Sequence, residues 1–386
     1  MKEKNNKIEA KEKTTITEHV KKGVSDLKIN RLLEKQKKKE RAELRKSRES
    51  SPAHLNEKKR KKFYSQKGWV KKYESLIEDP ATILTNTASS SEAGMINFYF
   101  DPLKVMSEYV HTSFATGIPT GKARLLNSLY LQHVEGLHPG IPVAMGKRCI
   151  DMVLNRSREL KRDFIYIDHA YFFRGYSVHP GRSDIYFRVI INDVHAKVDE
   201  NLPLDRFKGF RLKMKPWRSN GDHILICPPT GYLEDMVGLS KNWLNETLHT
   251  IRQNSDRPIV IRQKPGLTKV DHLMKAAKNF DGVSVITGTK KRPLRFDLKN
   301  CWATVAPASG VSIESALLGI PTFCEPISPV SSISVTDYSK IESPIFKDRE
   351  PVMASLAYSQ FNVTEMANGY AFMILKQRYP RIFRNI

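Results

Sequence analysis

Two groups of residues have the types and spacing to do chemistry. In YIDHAYFFRG (166–175), Asp168, His169, Tyr171 and Arg174 follow an apolar run of strand length, and in VIINDVHA (189–196) Asn192, Asp193 and His195 do the same. Transfer of a group to a hydroxyl needs one general base to take the hydroxyl proton, and Asp168 first and His169 second suit that role. Tyr171, Arg174, Asn192, Asp193 and His195 are then the side chains available to an acceptor. The same residues also make ordinary loop partners, Asp168 with Arg174 or Asp193 with a neighbouring base. Asp, His and Asn spread over two strands are weak evidence for a metal, and none is expected.

The second group suits a nucleoside diphosphate. ILICPPT (224–230) ends in two prolines and Thr230, VIRQKPG (260–266) carries Arg262 and Lys264, and WATVAPASGVSIESALLGIP (302–321) places Ser309 and Gly310 in a tight turn that opens a helix. A helix start offers unpaired N–H groups and the positive end of the dipole, and a small Ser-Gly pair lets phosphate oxygens approach the backbone. Arg262 and Lys264 supply counter-charge, Ser312 and Thr230 add hydroxyls, and Glu314, one turn into the helix, can accept hydrogen bonds from a ribose. Each also has a plain structural use: Ser309 as a cap, Arg262 in an ion pair, Glu314 capping the same helix. GIPTGKA (117–123) is one residue short of a phosphate-binding GxxxxGK loop, and Ala123 stands where that loop needs a hydroxyl.

These residues need a scaffold of strands whose ends share an edge. Apolar runs at 95–100, 141–145, 163–168 and 184–191 predict strands, with helices around 103–114, 122–133 and 151–161. A second series predicts strands at 223–229, 258–266, 283–288, 302–307 and 321–326, and helices at 241–252, 269–279 and 311–318. Helices are also expected at 353–360 and 364–377. The alternation of strand and helix, with continuously apolar strands, argues for parallel sheets covered on both faces. The expected fold is therefore α/β, with two Rossmann-like doubly wound domains, residues 95–220 and 221–350, and ligands in the cleft at the strand ends. Residues 351–386 are expected to pack back on the body.

The charge lies mostly ahead of that body. The 386 residues hold 64 Lys and Arg against 41 Asp and Glu, net +23, and within residues 1–72 there are 25 basic and 10 acidic side chains, so that segment alone carries +15. Residues 1–62 are too polar to build a core and are expected to form a disordered arm suited to a polyanion, or simply a solubilising tail. Residues 63–94 form a linker or docking segment containing Phe63, Tyr64, Trp69 and Tyr73. No apolar run reaches the roughly 20 residues of a membrane span, and the charged start matches neither a signal nor a transit peptide, so a cytoplasmic protein is expected. The four cysteines lack both disulfide and zinc spacing.

ATVAPASGVSIESALLGIPTFCEP (303–326) resembles the SxxxxEAxxxGxP segment of GT-B nucleotide-sugar glycosyltransferases and of the UDP-N-acetylglucosamine 2-epimerase fold, with Ser315 where the motif has Ala. YIDHAYFFRG, FRVIIND, SISVTDYSKIESP and LAYSQFNVTEMANG are similar to a group of bacteriophage-encoded glycosyltransferases of that class, extending the likeness over most of residues 95–375. The resemblance implies a GT-B fold and sugar transfer from a nucleoside diphosphate, a UDP-sugar first, with no further cofactor. It assigns the diphosphate to Ser309, Gly310, Arg262 and Lys264 and the ribose to Glu314. With the basic arm, the expected acceptor is a hydroxymethylated base in phage DNA, inside the host cytoplasm. A glycan or small-molecule acceptor, or a nucleic-acid-binding protein on a degenerate transferase scaffold, are the alternatives.

Overall fold

The computed structural model describes residues 94–100, 105–127, 137, 139–145, 147–173, 185–229, 238–265, 270–289 and 292–386. The basic arm, the segment ahead of Gly94, Arg174 and Thr230 lie outside them. Gly94–Phe100 and the described residues from Val110 onward belong to one compact unit, and both sheets lie within it.

The first sheet is built from β1 (Ile96–Phe100), β2 (Ala123–Asn127), β3 (Ile141–Met145), β4 (Ile165–His169) and β5 (Tyr186–Ile191), completed much later in the chain by β11 (Gln360–Asn362) in the order β11-β5-β4-β3-β1-β2. Its helices are α1 (Val105–Thr116) and α2 (Lys147–Glu159), and α3 (Asp205–Gly209) follows β5. The second sheet contains β6 (His223–Ile226), β7 (Ile259–Gln263), β8 (Val283–Thr287), β9 (Cys301–Val305) and β10 (Thr322–Phe323), all parallel, in the order β10-β9-β6-β7-β8. Between them run α4 (Trp243–Arg252), α5 (Asp271–Ala277), α6 (Leu294–Asp297) and α7 (Gly310–Leu317), and the chain closes with α8 (Glu350–Ala357), α9 (Val363–Ala367) and α10 (Tyr370–Arg378). The protein is thus α/β with two Rossmann-like sheets. No helix among the described residues is long and apolar enough to cross a membrane.

The continuous apolar strands follow from burial on both faces. In β6, Ile224 and Ile226 pack with Ile259, Ile261, Leu248 and Ile251 on one side, while Leu225 joins Cys301, Ala306 and Ile320 on the other; successive side chains of a strand point to opposite faces. A third cluster joins the two halves: Ile313 and Ala316 of α7 pack in one core with Tyr99, Tyr166, Phe172, Phe207 and Met353.

Four expectations are corrected. Residues 123–127 are not helical but form β2, paired parallel to β1. β5 runs antiparallel to β4, with Ile165 opposite Ile191 and His169 opposite Phe187, and β11 is antiparallel to β5. Gln360 belongs to strand β11 rather than to the helix before it, and the expected helix 364–377 is broken into α9 and α10 around Asn368 and Gly369.

Gly319 fixes the end of α7. Its φ is +73°, and a Cβ there would overlap the carbonyl oxygen of Pro216, in a segment hydrogen-bonded to the helix end, where Lys215 N donates to Leu317 O at 2.8 Å and Arg218 N to Gly319 O at 2.6 Å. Gly319→Ala is expected to lower stability by about 3 kcal/mol or more, by adding left-handed strain to overpacking. Gly121→Ala, with φ +77° and open space around it, should cost only about 1 kcal/mol. Denaturant unfolding of the two variants checks the difference.

Candidate functional site

At the exit of β4, Asp168 is the centre of a compact charged cluster. Its Oδ2 accepts from Tyr166 Oη at 2.6 Å and from Arg188 Nη2 at 2.7 Å, and its Oδ1 from the His169 amide at 2.7 Å. Arg188, on β5 directly opposite Asp168, sits 5.4 Å and 5.5 Å from the ring centres of Tyr166 and Tyr171. Its Nη1 lies 3.1 Å from His195 Nδ1. A guanidinium can only donate, so Nδ1 is the acceptor and the neutral imidazole carries its proton on Nε2. Burial alone would push the Asp168 carboxyl up, but Arg188 and the Tyr166 hydroxyl outweigh it and hold the group below its ordinary range. Burial pushes the Tyr171 phenol up to about 12, so it stays protonated.

The antiparallel β5 separates residues expected to lie together. Asn192 and Asp193 follow the end of β5 that pairs with the start of β4. Asn192, in the left-handed region at φ 58°, accepts from Phe164 N at 2.8 Å and donates to Asp163 at 2.6 Å; Asp193 accepts from the amide of Val194 at 2.7 Å and lies 3.8 Å from Lys197. Both shape the turn and stand away from Asp168. His195 alone of that group returns to the cluster, where Tyr171 Oη, itself accepting from Ala196 N at 2.8 Å, is 3.4 Å from its Nδ1. Tyr171 and His195 are buried and position neighbours rather than present an open surface. Arg188 and Gln360 belong to this site and are not singled out by the sequence. Gln360 Oε1 accepts from the amides of Tyr171 and Phe172 at 3.0 and 2.9 Å, fixing the backbone just past β4.

At the exits of the second sheet, Ser309 is the N-cap of α7, its side chain accepting from Val311 N at 3.2 Å. Gly310 opens the helix with one of the unpaired amides that every helix start carries. Ser312 is fully buried and donates to Ser309 O at 2.7 Å, so its hydroxyl stiffens the turn from behind instead of facing a ligand. Glu314 is exposed on the same helix, and Lys264 is exposed just past β7.

Arg262 differs most from expectation. Its side chain is 5% exposed and paired with Asp297, which is 1% exposed. The same carboxylate binds Arg292, 54% exposed, at 2.7 Å, and Arg262 Nη2 donates to Arg292 O at 3.1 Å. Gly288 leaves the room this requires, since a Cβ there would lie 2.6 Å from Arg262 Nη2. One carboxylate between two guanidinium groups leaves one net positive charge, carried outward by Arg292. In GIPTGKA, Lys122 donates to Asn385 O at 3.0 Å and Ala123 enters β2, so this segment has no phosphate-loop geometry.

No protein-family model matches the sequence, and no curated protein matches it. Among solved structures, the β-Kdo 2,4 transferase of KpsC from Thermosulfurimonas dismutans is 12% identical with a TM-score of 0.44, over 69% of this chain and 92% of that one. The β-Kdo 2,7 transferase of KpsC from the same organism is 9% identical, TM-score 0.40, over 72% and 99%. The UDP-GlcNAc 2-epimerase of Methanocaldococcus jannaschii, solved with UDP-GlcNAc and UDP, is 10% identical, TM-score 0.28, over 74% and 99%. At such values none of them assigns an activity or a residue's role to this chain.

Two outcomes follow from the ion pairs. Arg262→Ala leaves Asp297 buried with Arg292 as its remaining partner and should cost about 1.5–3 kcal/mol in denaturant unfolding, with part recovered in Arg262→Ala/Asp297→Ala. Because the folded-state pKa of Asp168 is lowered from 3.8, its contribution to stability is present above that value and lost as pH falls through the lowered one. The unfolding midpoint of Asp168→Asn should therefore vary less than that of the wild type between about pH 5 and pH 2.

Proposed function

We propose that this chain is a glycosyltransferase that moves a sugar from a nucleoside-diphosphate donor, UDP-linked first, to a hydroxyl on a hydroxymethylated base in DNA. The observation that carries the donor half is the start of α7: a capped, glycine-opened helix turn at the exit of a central parallel strand, where such sheets receive phosphates. Lys264, exposed at the exit of β7 two strands along from β9, and Arg292 supply counter-charge in place of the buried Arg262. Glu314 is assigned to the ribose.

In the first sheet, Asp168 is the proton acceptor, with His169 beside it. Arg188 keeps Asp168 ionised and fixed in direction, and its low basicity makes proton transfer late, after bond formation to the sugar has acidified the hydroxyl. The acceptor half of the proposal draws on charge. Residues 1–72 carry +15, which suits a phosphate backbone, and a base inside a duplex must be flipped out before it can react.

Calorimetric titration of UDP, GDP, ADP and TDP tests the donor half: one should bind at micromolar concentration, and Lys264→Ala should weaken it about tenfold. No binding by any of them would leave a nucleic-acid-binding protein without transferase activity. For the acceptor, labelled sugar should enter hydroxymethylated DNA and not free saccharide; the reverse result makes the acceptor a glycan. Neutralising Lys58, Lys59, Arg60, Lys61 and Lys62 in the full chain should flatten the salt dependence of DNA binding by about 0.9 for each phosphate that the arm no longer neutralises, and an unchanged slope would exclude the arm.

A further inference from the structure

We infer that Glu325, immediately after β10, is a second carboxylate, besides Glu314, that recognises hydroxyl groups of the donor. The inference rests on the proposed nucleotide-sugar site and names a contact within it that neither Ser309, Gly310 nor Glu314 supplies. Two side chains from separate elements meet at this carboxylate, and the backbone of the same residue is tied to the exit of β9. From the helix that follows β6, Trp243 Nε1 donates to Glu325 Oε1 at 3.4 Å. From the segment after β10, Tyr338 Oη donates to the same oxygen at 2.7 Å. From the β9 exit, Pro307 O accepts the Glu325 amide at 3.0 Å, two residues before the cap of α7.

The turn is also stitched to α7. Ser328 N donates to Glu325 O at 2.9 Å, and Ser328 Oγ lies 3.4 Å from Ser312 Oγ in the first turn of the helix. The rings of Trp243 and Tyr338 meet edge to face at 6.2 Å, so both donors are held by packing as well as by the carboxylate. Burial and the hydrogen bond to Glu325 together raise the Tyr338 phenol well above its ordinary pKa, so it remains a donor throughout the working range.

The outcome is a carboxylate whose Oε1 is occupied twice and whose Oε2 has no partner among the described residues, on a half-buried side chain beside the start of α7. A fixed negative charge there repels phosphate and attracts O–H donors. It therefore favours a diphosphate centred on the helix start with the vicinal hydroxyls of a sugar ring turned towards Glu325. Those hydroxyls belong to either the ribose or the transferred sugar.

Glu325→Gln separates these. A Gln keeps an acceptor for Tyr338 and Trp243 but places an amide or a neutral oxygen where the charge was. Affinities of UDP, 2′-deoxy-UDP and UDP-glucose, or the same set for whichever base binds, are measured on wild type and variant by calorimetry, with thermal unfolding alongside. Charge-assisted hydrogen bonds of this kind make the expected loss about tenfold. Loss for UDP but not for 2′-deoxy-UDP identifies the ribose, and loss for UDP-glucose alone identifies the sugar. If the variant binds all three as the wild type does, the inference is overturned while the nucleotide site stands; if the wild type binds none, both fall. Tyr338→Phe, which frees Glu325 to rotate, is the second variant should Glu325→Gln fail to fold, and it should weaken the same ligand.

Discussion

The close approach of Gly319 to the Pro216 carbonyl governs where α7 lies, and much else follows from α7. The helix is only eight residues long, too short to be stable by itself, and it is held at its far end by the backbone of Lys215 to Arg218 and along its side by the core it shares with the first sheet. The position of Ser309 and Gly310 is set from both ends of the helix, by the residues that hold Gly319 and by the contacts of Pro307 with Glu325 and of Ser312 with Ser328 beside the first turn. A start of helix that tilted would still be capped, but its amides would no longer face the same point as the neighbouring strand exits.

Two of the buried arginines show how similar pairs can serve different ends. Arg262 and Asp297 are both sealed, and the pair orders the crossing from β8 through α6 to β9. Arg188 is nearly as buried at 11%, but its partner Asp168 is 32% exposed, so the pair aims a carboxylate outward. Replacing a sealed pair by apolar residues often costs little, whereas an aimed carboxylate has no apolar substitute. The ion pair around Arg206 is a third case. Its guanidinium grips Glu365 with two parallel hydrogen bonds of 2.9 and 2.8 Å and also donates to the carbonyls of Ala357 and Gln360, binding the end of the chain to α3.

Most strands and helices are legible in the sequence because their apolar periodicity is local. The direction of β5 is not: FRVII reads the same whether its neighbour is parallel or antiparallel, and only the pairing of Ile191 with Ile165 decides it. That single fact puts Asn192 and Asp193 at the edge opposite to the one their sequence suggests. It also hides Arg188, since a strand arginine looks like a solvent-facing residue until its partner is known. ARLLN reads as helix because LLNSLYLQ continues its apolar spacing. Arg262 reads as a ligand because its partner Asp297 lies 35 residues away in a lysine-rich stretch where an acid looks like a surface charge. The Ser-Gly turn is legible for the opposite reason, being a cap contained within four residues.

The return of β11 to the first sheet has a consequence for how the molecule comes into being. Residues 360–362 pair with β5, more than 160 positions earlier, and Gln360 completes the hydrogen bonding of Tyr171 and Phe172. During vectorial synthesis the first sheet therefore waits, with the edge of β5 unpaired, until the whole second sheet has left the ribosome. Contacts of such long range slow folding and prolong the exposure of a strand edge able to recruit another chain. The apparently two-part architecture is in this respect kinetically one object: its earlier half reaches its final form last.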